Sequence, residues 1–126
     1  VYKRQLKKTV LVGDLNIAPY ENDVWSHKQL LNVVSHTPIE TELLNKLIDD
    51  SNWVDVGRKF ISKREKLYSW WSYRNRDWKK SNRGRRLDHI WVTEDFKKSL
   101  NCYILRNLRD WERPSDHVPV VAEFKI

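Results

Sequence analysis

The chain has 126 residues with a formal net charge of +7, a hydrophobic fraction of 40%, three glycines and four prolines, which indicates one globular domain and excludes a disordered or low-complexity chain. It has no apolar run long enough to cross a membrane and no visible secretory signal, so we expect a soluble, cytoplasmic protein. The single cysteine, Cys102, excludes an internal disulfide and a cysteine-rich metal site, so any metal must be bound by oxygen atoms or imidazole.

The first predicted strand is TVLVGDLN, residues 9–16. Before it, the basic segment VYKRQLKK resembles the end of a helix with no start signal, so we expect the chain to begin inside a domain. The aliphatic run breaks at Gly13, as a buried strand does on reaching the edge of its sheet. Asp14 and Asn16 are therefore expected at the C-terminal end of this strand.

One helix is predicted, from Pro38 to Asp50. Thr37 and Glu40 form a capping-box pattern around Pro38 at the first helical position. Apolar residues then recur at helical spacing at Ile39, Leu43, Leu44, Leu47 and Ile48.

From Trp53 onward the pattern changes to short strands. The predicted strands are WVDVGRKF (53–60), LYSWWSY (67–73), LDHIWVT (87–93), NCYILRNL (101–108) and HVPVVAEFKI (117–126). TEDFKKSL is predicted as a short helical turn after Thr93, and RDWERPSDH as a loop. The last strand has apolar residues at every second position from Val118, which indicates one packed and one solvent-facing side. Trp70 and Trp71 are adjacent, so one is expected in the core and the other as a stacking platform.

The positive charge is concentrated between Arg58 and Arg86, where twelve basic residues face only Glu65 and Asp77. Five aromatic residues are interleaved with them: Tyr68, Trp70, Trp71, Tyr73 and Trp78. Lysine and arginine bind phosphates and aromatic rings stack on bases, so this stretch favours a nucleic-acid partner. A solvated surface that keeps the protein soluble is the alternative interpretation.

Three groups of polar residues lie near predicted strand ends: Asp14 with Asn16, Asp88, and Asp116 with His117. If the strand ends meet at one edge of a sheet, their oxygen atoms and single imidazole suit Mg²⁺ or Mn²⁺ better than zinc. Ordinary structural roles remain open for four of these five residues. These are a turn aspartate at 14, an Asx turn at 16, a cap at 116 and a hydrogen-bonded structural histidine at 117.

Four motifs in order resemble the exonuclease III family of DNA-repair nucleases: GDLNIAP at 13–19, SWWSYR at 69–74, NRGRRLDHIWVT at 82–93 and SDHVPV at 115–120. That family belongs to the endonuclease/exonuclease/phosphatase superfamily. GDLN and SDH alone indicate the superfamily, whereas SWWSYR followed by NRGRRLD indicates the DNA-repair branch. The resemblance spans nearly all of the chain but only the C-terminal half of the family's domain. Residues 1–126 are therefore expected to be the C-terminal portion of a single domain.

The resemblance implies roles for the matching polar residues. Asp14 would orient or deprotonate the attacking water, and Asn16 would hold the scissile phosphate near the metal. Asp88 would orient the imidazole of His117 by a hydrogen bond, and Asp116 and His117 would contact metal and phosphate. The implied catalytic residues are thus Asp14, Asn16, Asp88 and His117, and the implied metal ligands are Asp14, Asn16, Asp116 and His117.

The resemblance also implies a DNA-binding surface. Trp70 would line a pocket for an abasic sugar, with Leu87 on the opposing wall. Arg85 stands where related enzymes often have an apolar pocket residue. The residues expected to contact DNA are Trp70, Arg74, Arg83, Arg85, Leu87 and Asp116.

For the fold, the resemblance implies half of a four-layer, DNase I-like α/β sandwich, mostly one β-sheet with a flanking helix. For function, it implies Mg²⁺-dependent or Mn²⁺-dependent hydrolysis of DNA phosphodiester bonds in repair. The substrates would be double-stranded DNA with abasic sites or 3′ ends. The family's asparagine and glutamate metal ligands and a catalytic tyrosine belong to the other half of the domain. We therefore expect the isolated chain to be marginally stable or self-associating, with little turnover.

Two other functions remain open at this point. One is a non-catalytic DNA-binding remnant, against which the retention of all five polar site residues argues. The other is a superfamily phosphatase acting on inositol phosphate or lipid esters, against which the tryptophan and arginine cluster argues.

Overall fold

The computed structural model describes residues 7–96 and 99–125. Within these residues the chain forms short strands and helices in alternation. In chain order they are β1 (Val10–Asp14), α1 (His27–Leu30), α2 (Pro38–Asp50), β2 (Trp53–Asp55), α3 (Val56–Phe60), β3 (Trp70–Trp71), α4 (Trp78–Ser81), β4 (Gly84–Arg85), β5 (Asp88–Thr93), β6 (Ser99–Ile104) and β7 (Val120–Phe124). Two 3-10 helices, Glu21–Asp23 and Arg106–Asp110, complete the set. No helix in the described part of the chain combines the length and apolar character that crossing a bilayer requires.

The mixed α/β class predicted from the sequence is confirmed, but the strands do not form mostly one sheet. They are hydrogen-bonded as β1-β5-β2, β3-β4 and β6-β7, and all pairs are antiparallel. Because β3 and β4 have two residues each, their ladder reaches neighbouring segments only through single bridges, Trp70 to His117 and Val24 to Arg85. The short strands therefore make separate ladders.

Helix α2 has the predicted limits, Pro38–Asp50. The Glu40 carboxylate accepts hydrogen bonds from the Thr37 backbone and hydroxyl, which completes the capping box. Leu44 and Ile48 are buried against Trp91 of β5, so the helix covers one face of the β1-β5-β2 sheet.

The register of β1 against β5 places two carboxylates side by side. Val10 lies opposite Val92, and the ladder continues without a shift to Asp14 opposite Asp88. Cross-strand partners on one face lie about 5 Å apart. Residues 74 positions apart in the sequence thus become neighbours at one end of the sheet.

Several predicted strands are shorter in the structure; the one predicted at 9–16, for example, is limited to Val10–Asp14. In WVDVGRKF only Trp53–Asp55 is a strand, because the Asp55 carboxylate caps the helix that follows by accepting from the Arg58 amide. In LYSWWSY only Trp70–Trp71 is a strand, since the Leu67 amide donates instead to the carbonyl of Asn22.

The C-terminal strands differ at their ends. The strand predicted at 101–108 is β6, which begins at Ser99 and ends at Ile104, before a 3-10 helix. Strand β7 covers Val120–Phe124 of the predicted 117–126. The helical end predicted at 1–8 lies mostly outside the described residues, as do part of the turn predicted at 93–100 and the last residue of the chain.

A buried cluster of charges links three segments of the chain. The Arg58 guanidinium lies 2.5 Å from the Asp23 carboxylate, and Arg86 pairs with both Asp23, at 3.0 Å, and Asp55, at 2.7 Å. Burial alone would lower the pKa of Arg86, but the two carboxylates outweigh it and raise that pKa. Two of the twelve arginines and lysines assigned to a basic surface are therefore internal structural groups, and the Arg83–Arg86 segment is not uniformly exposed.

Candidate active site

Asp14, Asp88 and His117 meet at one end of the β1-β5 ladder. His117 Nδ1 lies 2.8 Å from Asp88 Oδ2, the contact that the resemblance implied. His117 Nε2 lies 3.7 Å from Asp14 Oδ2. One ligand atom from each of the three residues lies within 4.8 Å of the others. The imidazole is thus held between two carboxylates.

The surroundings of His117 favour its charged form. Partial burial lowers the pKa of the imidazole, but the hydrogen bond to Asp88 and the negative charges of Asp88, Asp116 and Asp14 outweigh burial, so the pKa is raised. His117 can therefore donate a proton or a charge-assisted hydrogen bond to an anion.

Ser69 holds Asp88 in place, although its sequence position did not predict this role. Its hydroxyl donates to Asp88 Oδ2 at 2.7 Å and accepts from the backbone amides of Leu87 and Asp88, each at 3.1 Å. Ser69 is fully buried. Its position at the start of the SWWSYR motif is the only sequence signal that could have indicated it.

Asn16 lies in a turn directly after β1. Its φ of 56° is left-handed, and its backbone amide donates to Asp14 Oδ1 at 3.0 Å, so the turn-forming role considered for Asp14 is present. Two buried histidines fix the next residues, because His89 Nε2 lies 2.8 Å from the Ile17 carbonyl and His36 Nδ1 lies 2.7 Å from the Ala18 carbonyl. The exposed Asp14–Asn16 turn is thus followed by a segment that the two buried histidines hold in place.

Asp116 is adjacent to this group but is engaged differently. Its carboxylate accepts a hydrogen bond from the Trp70 indole at 3.0 Å, and its carbonyl accepts one from the Trp71 amide at 2.9 Å. The metal set implied by the resemblance contains Asp116, whereas the close group found among the described residues contains Asp88 in its place.

An open pocket of about 420 Å³ adjoins these polar groups. Its lining consists of Leu15, Asn16, Ile17, Val34, Ser35, Glu40, Trp70, Arg85, Leu87 and His117. Trp70 lines the pocket whereas Trp71 is 1% exposed and packs in the core, so the two tryptophans divide as their alternation predicted. Val34, Ser35 and Glu40 were not predicted as pocket residues, because nothing local in the sequence indicates that α2 begins beside this pocket.

A row of cross-strand neighbours connects the polar groups to the side chain of Arg85 in the pocket. Trp70 bridges to His117 on one side and pairs with Arg85 on the other. The Arg85 guanidinium lies over the Trp70 ring, with Cζ 5.3 Å from the ring centroid. Arg85 Nη1 donates to Ser35 Oγ at 3.1 Å. The pocket therefore has an apolar floor with a positive charge on one wall.

The other residues expected to contact DNA lie at different depths. Leu87 is buried and contributes to the pocket wall. Arg83 is exposed and lies over Trp25, with Cζ 4.7 Å from the ring centroid. Arg74 is exposed in a separate concavity that it forms with Arg76 and Lys80, among others.

The sequence matches the model of one protein family. Residues 2–117 match the Endonuclease/Exonuclease/phosphatase family. Among curated proteins, the chain is 32% identical over 123 residues to Exodeoxyribonuclease III of Haemophilus influenzae, covering 92% of this chain and 45% of that protein. It is 33% identical over 125 residues to the Exodeoxyribonuclease of Bacillus subtilis, covering 97% of this chain and 46% of that one. The chain spans about half the length of these relatives.

Solved structures of other proteins share this fold, among them an AP endonuclease and a 3′ phosphatase. An AP endonuclease from Archaeoglobus fulgidus superposes with a TM-score of 0.91 and 30% identity, covering 98% of this chain and 49% of the other. The 3′ phosphatase NExo from Neisseria, bound to a product DNA hairpin, superposes with a TM-score of 0.90 and 28% identity, covering 99% and 48%. The pattern of the sheets is therefore that of DNase I-like nucleases.

Proposed function

Because the chain belongs to the Endonuclease/Exonuclease/phosphatase family, we propose that it is the part of a DNA-repair nuclease that carries the acidic and histidine residues of the active site. The reaction is hydrolysis of DNA phosphodiester bonds, at abasic sites in duplex DNA and at 3′ ends. The observation that carries this proposal is the Asp14–His117–Asp88 arrangement next to the Trp70 pocket. The names of the relatives, exodeoxyribonucleases and an AP endonuclease, support the choice of DNA.

A divalent cation fits the donors that are present. The carboxylates of Asp14 and Asp88 and the imidazole of His117 offer atoms within 4.8 Å of one another, and this oxygen-rich set favours Mg²⁺ or Mn²⁺ over zinc. Asn16, two residues after Asp14, and Asp116, next to His117, are the further ligands that the resemblance implies. When bound, such an ion neutralises negative charge on the phosphoryl group.

The protein groups supply the remaining chemistry. Asp14 is exposed, so its carboxylate can orient or deprotonate a water molecule beside the phosphate. Asp88 fixes the His117 ring through Nδ1, which leaves Nε2 facing Asp14 and the open site. The raised pKa of His117 favours a charge-assisted hydrogen bond to a phosphoryl oxygen, where negative charge develops during the reaction.

The test uses the 126-residue chain in excess over a labelled duplex with one abasic analogue. We expect DNA binding and slow nicking that requires Mg²⁺ and stops with EDTA. Asp14→Asn should abolish nicking, whereas the matched change Asp49→Asn, at the exposed end of α2, should leave it unchanged. The turnover should be low because the chain has about half the length of its relatives.

Three results would contradict the proposal. Absence of binding to any duplex would exclude a nucleic-acid substrate. Hydrolysis of inositol phosphates in preference to DNA would favour the superfamily phosphatase. Binding without cleavage, even after the rest of the domain is supplied from a relative, would favour the non-catalytic DNA-binding protein.

A second candidate is removal of a 3′ phosphate from DNA. The Neisseria neighbour described as a 3′ phosphatase has 28% identity with this chain and a TM-score of 0.90. Release of inorganic phosphate from a hairpin with a 3′-phosphate, compared with nicking of the abasic duplex, separates the two reactions.

A further inference from the structure

Arg85 places a positive charge inside a pocket that has both apolar and polar walls. The pocket lining includes Leu15, Ile17 and Leu87, and Arg85 is its only arginine or lysine among the described residues. A neutral sugar ring gains little from a cation at this position, whereas an anionic group gains a charge-assisted hydrogen bond.

The position of Arg85 relative to the reacting groups is fixed by the strand ladder. His117, Trp70 and Arg85 are successive cross-strand neighbours, so Arg85 lies two strand spacings, about 10 Å, from His117. A phosphate bound at His117 would therefore have Arg85 across the pocket, within reach of a substituent that extends from that phosphate over Trp70.

The Arg85 guanidinium has donors available for a ligand. Its described hydrogen bonds come from Nη1, to Ser35 Oγ at 3.1 Å and to the Val34 carbonyl at 3.4 Å. Nε is buried with no hydrogen-bond partner among residues 7–96 and 99–125. A guanidinium carries five N–H donors. Because Nε is buried, a ligand in the pocket does not reach it, and the donors left for an anion are those of Nη2, for which no hydrogen bond to the described residues is found.

The nearby carboxylate does not neutralise Arg85 directly. Glu40 lines the same pocket, but its Oε1 accepts hydrogen bonds from the Ser35 amide, the Thr37 amide and the Thr37 hydroxyl. Within the described ranges, Arg85 has no carboxylate oxygen within 4.0 Å, in contrast to the paired Arg58 and Arg86.

We propose that Arg85 is a specificity-determining residue that selects DNA ends in which the substituent on the scissile phosphate carries a negative charge, in preference to a neutral substituent of the same size. The proposal rests on the proposed function, since it assumes that the phosphate lies at His117. Its ligand class is a 3′-phosphate ester whose substituent ends in a carboxylate or a second phosphate.

The test compares two hairpin DNAs that differ only in charge at this position. One ends in a 3′-phosphoglycolate and the other in the 2-hydroxyethyl ester of the same 3′-phosphate. Binding is measured by fluorescence anisotropy in EDTA, so that no hydrolysis occurs. Any repulsion between the scissile phosphate and the acidic groups is common to both DNAs and cancels in the ratio of their dissociation constants.

We expect the glycolate end to bind about tenfold more tightly, the effect of one charge-assisted hydrogen bond. Arg85→Leu should bring the ratio close to one, and Arg85→Lys should keep part of it because the charge remains without the planar fork. Arg64→Leu, a matched change at an exposed arginine outside the pocket, should keep the full ratio. Circular dichroism checks that each variant is folded.

The outcomes separate this proposal from the proposed function. Equal binding of both ends by the unaltered chain, or a preference that survives Arg85→Leu, would overturn the role of Arg85 and leave the nuclease proposal standing. Failure to bind either hairpin or the abasic duplex would overturn both.

Discussion

Arg85 and Arg86 are neighbours in the sequence but belong to two opposite kinds of charged region. Arg85 lies over Trp70 on the wall of an open pocket, half-buried and without a carboxylate partner within 4.0 Å among the described residues. Arg86 is 2% exposed and pairs with Asp23 and Asp55. In extended backbone, successive side chains point to opposite sides, which is sufficient to separate them.

The comparison separates charges that are buried and paired with one another from charges that remain open to solvent. In the buried cluster, Asp23, Asp55, Arg58 and Arg86 satisfy one another, so removing one leaves another charge buried without compensation. In the open site, charges remain partly hydrated, and their neighbours hold them in position for a ligand. The predictions below test this division, from the largest expected effect to the smallest.

Replacing Arg86 should cause the largest loss of stability. Arg86→Met leaves Asp23 and Asp55 in a buried position without their shared cation, and we expect a loss of about 3–5 kcal/mol in the free energy of unfolding. Urea denaturation measures it. Arg85→Met serves as the comparison and should cost less than about 1 kcal/mol. Equal losses in the two variants would contradict the division into structural and functional charges.

Replacing Asp88 should affect the reaction more than the fold. In the unaltered chain the negative charge of Asp88 holds the His117 imidazole in place and raises the pKa of this imidazole. Asp88→Asn removes that charge, and we expect the rate of nicking to fall about 100-fold. Single-turnover cleavage of the abasic duplex gives the rate, and urea denaturation checks that the fold is retained. An unchanged rate would show that the Asp88–His117 contact is only structural.

The two buried histidines should make the fold sensitive to acid. Burial lowers the pKa of both His36 and His89, and the charge of Arg86 lowers that of His89 further. Below a pH of about 6.5 the unfolded chain takes up protons that the folded chain does not, so stability is retained above this pH and falls below it. The slope is at most about 1.4 kcal/mol per pH unit for each histidine. Urea midpoints that stay constant from about pH 7.5 to 5 would be inconsistent with this prediction.

An exposed ion pair should contribute least. Lys79 and Asp110 are 3.4 Å apart, but both side chains are about half exposed, so water and salt screen their attraction. We expect Lys79→Met to change the free energy of unfolding by less than about 1 kcal/mol. A loss comparable to that of Arg86→Met would show that exposure does not distinguish the two kinds of pair.

Elements governed by local interactions could be predicted from the sequence. Helix α2 has its predicted limits because the capping box, Pro38 and the spacing of Leu44 and Ile48 all act within one turn or one helix. The alternation of Trp70 and Trp71 is likewise local. Strand lengths were predicted less well, because the Asp55 carboxylate caps a helix where β-branched and aromatic residues had suggested a longer strand.

The residue types of the candidate site and one of its contacts, the hydrogen bond between Asp88 and His117, were predicted, but the rest of its arrangement was not. The motifs indicated Asp14, Asp88 and His117, and the β1-β5 register brings the two carboxylates together. The buried Ser69 that holds Asp88, and the start of α2 beside the pocket, had no comparable signal. Both depend on contacts between segments that are far apart in the chain.

The sequence by itself thus determined the local elements, the family and the polar residues available for chemistry, because these depend on residue type and spacing. Only the tertiary structure decided which charged side chains are buried in ion pairs and which remain in the open pocket. Arg58 and Arg86 look like part of a DNA-binding surface in the sequence, yet packing encloses them with Asp23 and Asp55, while Arg85 remains in the pocket. Burial and pairing are properties of distant segments brought together, and the cost of desolvating a charge makes them decisive.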